Sequence, residues 1–152
     1  MTAKASDGYR LAVRLASGRD AERMAVLCQQ LGYPASQEEV QRRLGQIQRD
    51  GHHAVYVAEL PDGGVVGWVH VHVRQLVVAD PQAEIGGLVV DEGHRRCGAG
   101  QLLMQRAERW ARERGCSAVC LRSNVVRKGA HVFYDKLGYR TIKTQLAFRK
   151  VL

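Results

Sequence analysis

Arg95, Arg96, Gly98 and Gly100 fall within six residues, between an apolar run and a run with helical periodicity. The two guanidinium groups bring full positive charge. The glycines let an anion reach backbone N–H groups with no Cβ in the way. A helix starting here leaves its first N–H groups without intrahelical partners, and its dipole adds partial positive charge. The pattern is suited to binding phosphate. It does not fit two common phosphate sites. Gly100 leads into Gln101 and Leu102, not the Lys-Ser/Thr of a nucleotide-binding loop, and the other spaced glycines of a dinucleotide fingerprint are missing. A nucleoside triphosphate or NAD is therefore not expected. The alternative without chemistry is a glycine-eased turn from strand to helix.

Three further places carry groups capable of chemistry. Glu84 stands beside the apolar run and is either an edge charge or a general base facing a cleft. Tyr134 belongs to a Phe-Tyr pair on a helical stretch; its phenol is core packing or a neutral proton donor to a developing anion. Trp68, His70 and His72 share one face of an alternating segment. They line a ligand cleft or face solvent. His-x-His can bind metal, but no third ligand lies near it in sequence, so no metal is assigned. Among Cys28, Cys97, Cys116 and Cys120 there is no Cys-x-x-Cys pair, so neither zinc nor a redox motif is indicated. Cys97 lies inside the glycine loop, where neighbouring arginines favour a thiolate.

The elements that position these groups read in order. Tyr9 to Leu15 alternates as a half-buried strand, after a loose tail over residues 1–8. Ser17 or Asp20 caps a helix running to Gly32, and Ser36-x-x-Glu39 opens a second helix as a capping box. Ala54 to Leu60 and Val65 to Val73 flank Pro61-Asp62-Gly63-Gly64 as a hairpin. Ile85 to Val90 is a strand covered on both faces, with Gly86 and Gly87 compatible with a bulge. Helix 100–114 buries Leu103, Ala107, Trp110 and Ala111 and leads to Ala118–Leu121, parallel to the central strand because a helix joins the two. A last helix carries Val126 to Leu137, and Tyr139–Ile142 and Gln145–Val151 read as closing strands.

Two of these segments resemble the Gcn5-related N-acetyltransferase family. Arg95-Arg96-Cys97-Gly98-Ala99-Gly100 looks like its Arg/Gln-x-x-Gly-x-Gly/Ala signature, and Leu88-Val89-Val90-Asp91 before it and Leu102-Leu103 after it are also family-like. Ala130 to Tyr139 is similar to the closing motif Ala-x-x-Phe/Leu-Tyr-x-x-x-Gly-Phe/Tyr. The resemblance implies an α/β fold with a mixed, mostly antiparallel twisted sheet, helices on both faces and a splayed central strand pair. Acetyl-CoA is then the co-substrate. Its binding residues would be Leu88, Val89 and Val90 with Arg95, Arg96, Cys97, Gly98, Ala99, Gly100 and Gln101. Tyr134 inherits the role of protonating the leaving thiolate, Glu84 that of the base or water-relaying carboxylate, and Leu31 to Ser36 that of bordering the acceptor. One position departs from the pattern: where the family usually has Asn, seven residues before the tyrosine, this chain has Arg127. Asn124 lies three residues earlier, and both are candidates for the cofactor.

The bulk numbers fit this reading. At 152 residues, with 45% hydrophobic and 25% charged residues, the chain is expected to be one domain over 1–152. No apolar run approaches a membrane span and no secretory signal opens it, so a cytoplasmic protein with no membrane partner is expected. The net charge of +8 suits a polyanionic cofactor. The 23 Lys and Arg are scattered and aromatics make up 6%, so nucleic acid is not the expected partner. The expected reaction is direct acetyl transfer to the primary amine of a small molecule. A protein N-terminus or lysine is the alternative acceptor, and a non-catalytic acyl-CoA-binding module the alternative of another class. The family's closing strands often pair across a dimer, which makes Gln145 to Val151 a candidate homodimer edge.

Overall fold

The computed structural model describes residues 2–4 and 10–152. They fall into two compact units, Met1–Leu121 and Arg122–Leu152. The first holds a six-stranded sheet in sequence order, β1 (Thr2–Lys4), β2 (Arg10–Leu15), β3 (His53–Glu59), β4 (Val65–Leu76), β5 (Ala79–Val90) and β6 (Val119–Leu121). Neighbours pair antiparallel except β5 with β6, which are parallel and joined through a helix, as expected. β1 is the first difference from the sequence reading. Thr2–Lys4, expected within a loose tail, pairs with Arg10–Ala12. Tyr9 and the rest of that tail lie outside the described residues.

Helices α1 (Ala21–Leu31) and α2 (Gln37–Gln48) cover one sheet face, where Met24, Leu27, Val40 and Leu44 meet Val55, Val57, Val65 and Val89. Their ends follow local chemistry. Gly32 takes φ 96° as the left-handed residue ending α1, and the Tyr33 N–H donates to the Cys28 carbonyl at 3.0 Å. At α2 the Glu39 N–H donates to Ser36 Oγ at 3.1 Å and the Ser36 N–H to Glu39 Oε1 at 3.2 Å, completing the capping box. Tyr33 is 75% exposed and does not plug the loop between them. Helix α3 (Ala99–Glu113) covers the opposite face, burying Leu103, Ala107, Trp110 and Ala111. There the Arg106 guanidinium sits 4.5 Å from the Tyr56 ring centroid. The one buried charged residue among the described residues, Asp20, takes a bidentate pair of bonds from Arg14 at 2.8 and 2.9 Å.

The second unit carries α4 (Lys128–Lys136). Val126 precedes this helix and lies in its entry turn. The closing strands expected at 139–142 and 145–151 do not form; those residues carry no strand assignment. Alternating apolar residues favour a strand only where a partner ladder takes up their backbone groups, and none among the described residues does so here.

Candidate active site

Parallel β5 and β6 share only the register Ala83–Ile85 with Val119–Leu121. From Gly86 to Val90, β5 is laddered among the described residues to β4 alone, so its other edge has no strand partner there over the stretch that includes Leu88, Val89 and Val90. This is the splay that the resemblance implied. The expected bulge is also present: His70 pairs with Gly87 and Val71 with Ile85, which leaves Gly86 as the extra residue. Both glycines are demanded by rings lying over them. A Cβ at Gly86 would stand 2.7 Å from His70 Nδ1, and one at Gly87 would stand 2.7 Å from the Trp68 ring. The Trp68 indole N–H is buried with no hydrogen-bond partner.

Beyond Val90 the chain turns through Asp91 and a short 3-10 segment, Glu92–His94, into the glycine loop. Arg96 takes φ 66° and Gly98 φ 87°, both left-handed, and no side chain caps α3 at Gly98. A non-glycine residue in that region carries strain of order 1–3 kcal/mol. The first intrahelical bond runs from the Leu102 N–H to the Gly98 carbonyl. The N–H groups of Ala99, Gly100 and Gln101 therefore lie in the first turn, ahead of the helical ladder. Arg95 and Arg96 are exposed beside them, whereas Cys97 is 1% exposed. What Cys97 can offer an anion is its backbone N–H. Its thiol is not presented to the loop's outer surface, because the side chain packs inward.

Asp91 fixes the base of this loop. Its carboxylate accepts from Gln30 Nε2 at 2.8 Å, lies 2.7 Å from His94 Nδ1 and pairs with Arg23 at 3.2 Å. The Gln30 bond above all, then His94, holds the Asp91 carboxyl down at about 2. Its contribution to stability is complete above the ordinary value of 3.8 and is lost as pH falls through about 2. Asp91→Asn is expected to lower the thermal midpoint at neutral pH by about 2–4 °C. The gap to the parent should shrink below about pH 4. Thermal unfolding of both proteins from pH 7 to 2 checks this, and a gap that widens on acidification contradicts it.

Glu84, 13% exposed, sits on β5 opposite His72 of β4, with its Oε2 3.9 Å from His72 Nε2 and 3.9 Å from Arg74 Nη1. The sequence placed His70 and His72 together and missed His53, which the hairpin register sets opposite His72. The three imidazoles are adjacent: His53 Nδ1 is 2.9 Å from His70 Nε2, and the His53–His72 ring centroids are 5.2 Å apart. The Trp68–His70–His72 face is thus not an open solvent face. Among the described residues no cluster of three or more His, Cys, Asp or Glu is arranged to hold a metal ion. A register counted outward from the turn would set His53 opposite Val71; the shift between Ala58 and Glu59 moves it onto His72.

In the second unit, Asn124 Oδ1 accepts from the Val126 N–H at 3.1 Å, and the Asn124 carbonyl accepts from the Arg127 N–H at 3.0 Å. The Asn124 side chain is thereby engaged in its own turn, while Arg127 caps α4 through its backbone. Tyr134 is partly buried, edge-on to Phe133 and to Tyr139 with centroids 5.1 and 6.0 Å away. Burial pushes its phenol above the ordinary value, with Arg127 opposing, so it is neutral and able to donate at neutral pH.

Comparison with known proteins bears on the family and the fold. Residues 20–139 match the model of the Acetyltransferase (GNAT) family. The aminoglycoside N(6')-acetyltransferase type 1 of Stenotrophomonas maltophilia is 27% identical over 144 residues, 92% of this chain and 93% of that protein. The crystal structure of aminoglycoside antibiotic 6'-N-acetyltransferase AAC(6')-Ih from Acinetobacter baumannii is similar with a TM-score of 0.81 at 19% identity, covering 93% of this chain and 99% of that one. Aminoglycoside N-acetyltransferase AAC(6')-Iy, in complex with CoA, is similar with a TM-score of 0.83 at 19% identity, covering 94% and 96%. At such identities the two structures establish the fold.

Proposed function

The chain belongs to the acetyltransferase (GNAT) family, and we propose that it acetylates the primary amine of a small molecule of amino-sugar type, using the residues assigned below. The enzyme is an acetyl-CoA-dependent N-acyltransferase. The observation that carries the residue assignment is the open edge of β5 from Gly86 to Val90, which runs directly into the left-handed loop and uncapped start of α3. An extended amide-bearing arm can add to such an edge as a strand would, through the backbone of Leu88, Val89 and Val90. The pyrophosphate then meets the N–H groups of Cys97 to Gln101, with Arg95 and Arg96 adding charge.

Acetyl transfer requires the acceptor nitrogen to lose a proton before it attacks the thioester. Glu84 is assigned to draw in the ammonium and take that proton, directly or through water. The nitrogen–carbon bond forms as the carbon–sulfur bond breaks, and Tyr134 supplies the proton for the departing thiolate. Arg127, whose side chain is not committed to a local turn bond as Asn124's is, is the better candidate for a cofactor contact. Leu31 to Ser36, with the exposed Tyr33, is assigned to acceptor choice. The names of the relatives favour an amino-sugar acceptor over a protein N-terminus or lysine. We place the protein in the cytoplasm as a homodimer; among the described residues no helix is long and apolar enough to cross a membrane.

Thermal unfolding with increasing acetyl-CoA, beside CoA and ATP, tests the cofactor assignment. A midpoint that rises with acetyl-CoA and CoA but not with ATP is expected, by about 2.7 kcal/mol of stabilisation at a hundred times the dissociation constant. An unchanged midpoint at millimolar acetyl-CoA contradicts it. A panel of amino sugars, small amines and peptides read by thiol release then identifies the acceptor class.

A further inference from the structure

Glu84 is followed, going away from the glycine loop along β5, by a pair of donors that the reaction as assigned does not use. Glu84 and Gln82 share one face of the strand with His72 and Arg74, their partners on β4. With the pantetheine arm along Leu88 to Val90, an amine held at Glu84 has the rest of its molecule over Gln82 and Arg74. These lie two residues, or about 7 Å, farther from the cofactor. Arg74 brings a full positive charge to that place. Its Nε is buried with no hydrogen-bond partner, and its Nη1 stops 3.9 Å from Glu84 Oε2. That distance is beyond a hydrogen bond, and 29% of the Arg74 side chain is exposed, so the outer guanidinium nitrogens can meet a ligand. Beside it, the Gln82 amide oxygen accepts from the Cys120 thiol at 3.1 Å, which leaves the amide NH₂ as a further donor.

We propose that Arg74 determines acceptor specificity by binding an oxyanion of the substrate, which is therefore an amino sugar carrying a carboxylate or phosphate and not a polyamine. The proposal rests on the reading of the chain as an acetyltransferase of small amines with Glu84 as its base. An ammonium beside Glu84 and an oxyanion beside Arg74 give each charge an opposite partner. A polyamine seated through one nitrogen at Glu84 brings a second ammonium against the guanidinium, which costs binding.

The acids of the chain point the same way. Leu31 to Ser36, assigned to acceptor choice, contains none. Along β5 the next acid beyond Glu84 is Asp80, at the exposed hairpin end. Several others are engaged away from this face: Asp20 and Glu59 with Arg14, and Asp91 with Gln30, His94 and Arg23. A polycation would need a set of carboxylates spaced to its amines, and Glu84 offers one. The whole chain adds to this, with 23 Lys and Arg against 15 Asp and Glu, and residues 122–152 hold eight of those cations against Asp135 alone. Such a field draws in an anionic solute and repels a polycation.

Titration calorimetry in excess CoA tests this with four amines: glucosamine, glucosaminic acid, glucosamine phosphorylated on its primary hydroxyl, and the polyamine kanamycin. At least one acid-bearing amine is expected to bind on the order of tenfold tighter than glucosamine, and tighter than kanamycin. The better of the two identifies the oxyanion as carboxylate or phosphate. Arg74→Gln should abolish the preference, and Arg74→Lys should keep part of it, because it retains the charge without the planar fork. The same ratio read as kcat/KM in thiol release should lie in KM. A packing role for Arg74 would weaken every amine alike and keep the ratio, and that result overturns the proposal. So does a parent protein that prefers kanamycin, or that binds neither acid-bearing amine better than glucosamine; both are read without any variant. Acetylation of glucosamine or kanamycin with no preference for acid keeps the transferase reading and removes this one. A preference in binding with no thiol released from any amine does the reverse.

Discussion

Tyr134→Phe is expected to lower kcat on the order of 10²-fold and to leave KM for acetyl-CoA unchanged. The substitution removes one hydroxyl and keeps the ring, so the edge contacts with Phe133 and Tyr139 survive. The thermal midpoint should therefore stay within about 2–4 °C of the parent. A kinetic loss without a stability loss identifies a proton donor, because a packing residue would show the reverse. The pH profile adds a second check. Burial raises the phenol above its ordinary value of 10, so the acid stays protonated across the neutral range. An alkaline limb owed to Tyr134 lies above pH 10 in the parent and is missing from the variant. Steady-state thiol release, followed from pH 6 to beyond 10, reads both. Unchanged turnover would strip Tyr134 of its assigned role and leave thiolate departure to water or to another donor.

Most of the path from β5 into α3 was legible because its signals are local. An apolar run, left-handed glycine positions and helical periodicity each act within a few residues, and the chain adopts what they specify from Ile85 to Glu113, although β5 begins earlier than read, at Ala79. The Ser36–Glu39 box and Gly32 set their helix ends for the same reason. Features that depend on a distant partner were not legible. Thr2–Lys4 is a strand because β2 offers it a ladder, while Gln145–Val151, with better alternation, has none. Nothing local marked His53, and only the register with His72 sets it beside the other two imidazoles. Gly86 and Gly87 were read as a bulge, correctly, but their cause lies across the sheet in two aromatic rings. Arg96 gave no sign from its type that it would adopt a positive φ.

The second large effect is expected at Gly67, which no motif marks. A Cβ there would lie 2.8 Å from the Val89 carbonyl oxygen and 3.2 Å from Leu103 Cδ1. Leu103 of α3 is fully buried against the sheet and has no room to retreat, and the Val89 carbonyl is backbone. Gly67→Ala must therefore push β5 away from β4 or lift α3 from the sheet. Overpacking of this kind costs about 1–3 kcal/mol, or roughly 2–4 °C of thermal midpoint for each kcal/mol in a protein of this size. The displaced backbone is the one assigned to the pantetheine arm, so stability and binding should fail together. Apo protein is expected to unfold several degrees earlier, and acetyl-CoA to restore less of the loss than it adds to the parent. Gly45→Ala, inside α2 where a Cβ meets nothing within 4 Å, is the control: it should raise the midpoint by about 2–4 °C, as alanine does over glycine in a helix, and leave acetyl-CoA affinity in place. If Gly67→Ala lowers the midpoint while acetyl-CoA binds with unaltered affinity, the cofactor does not lie along Val89. The open edge of β5 would then need another occupant.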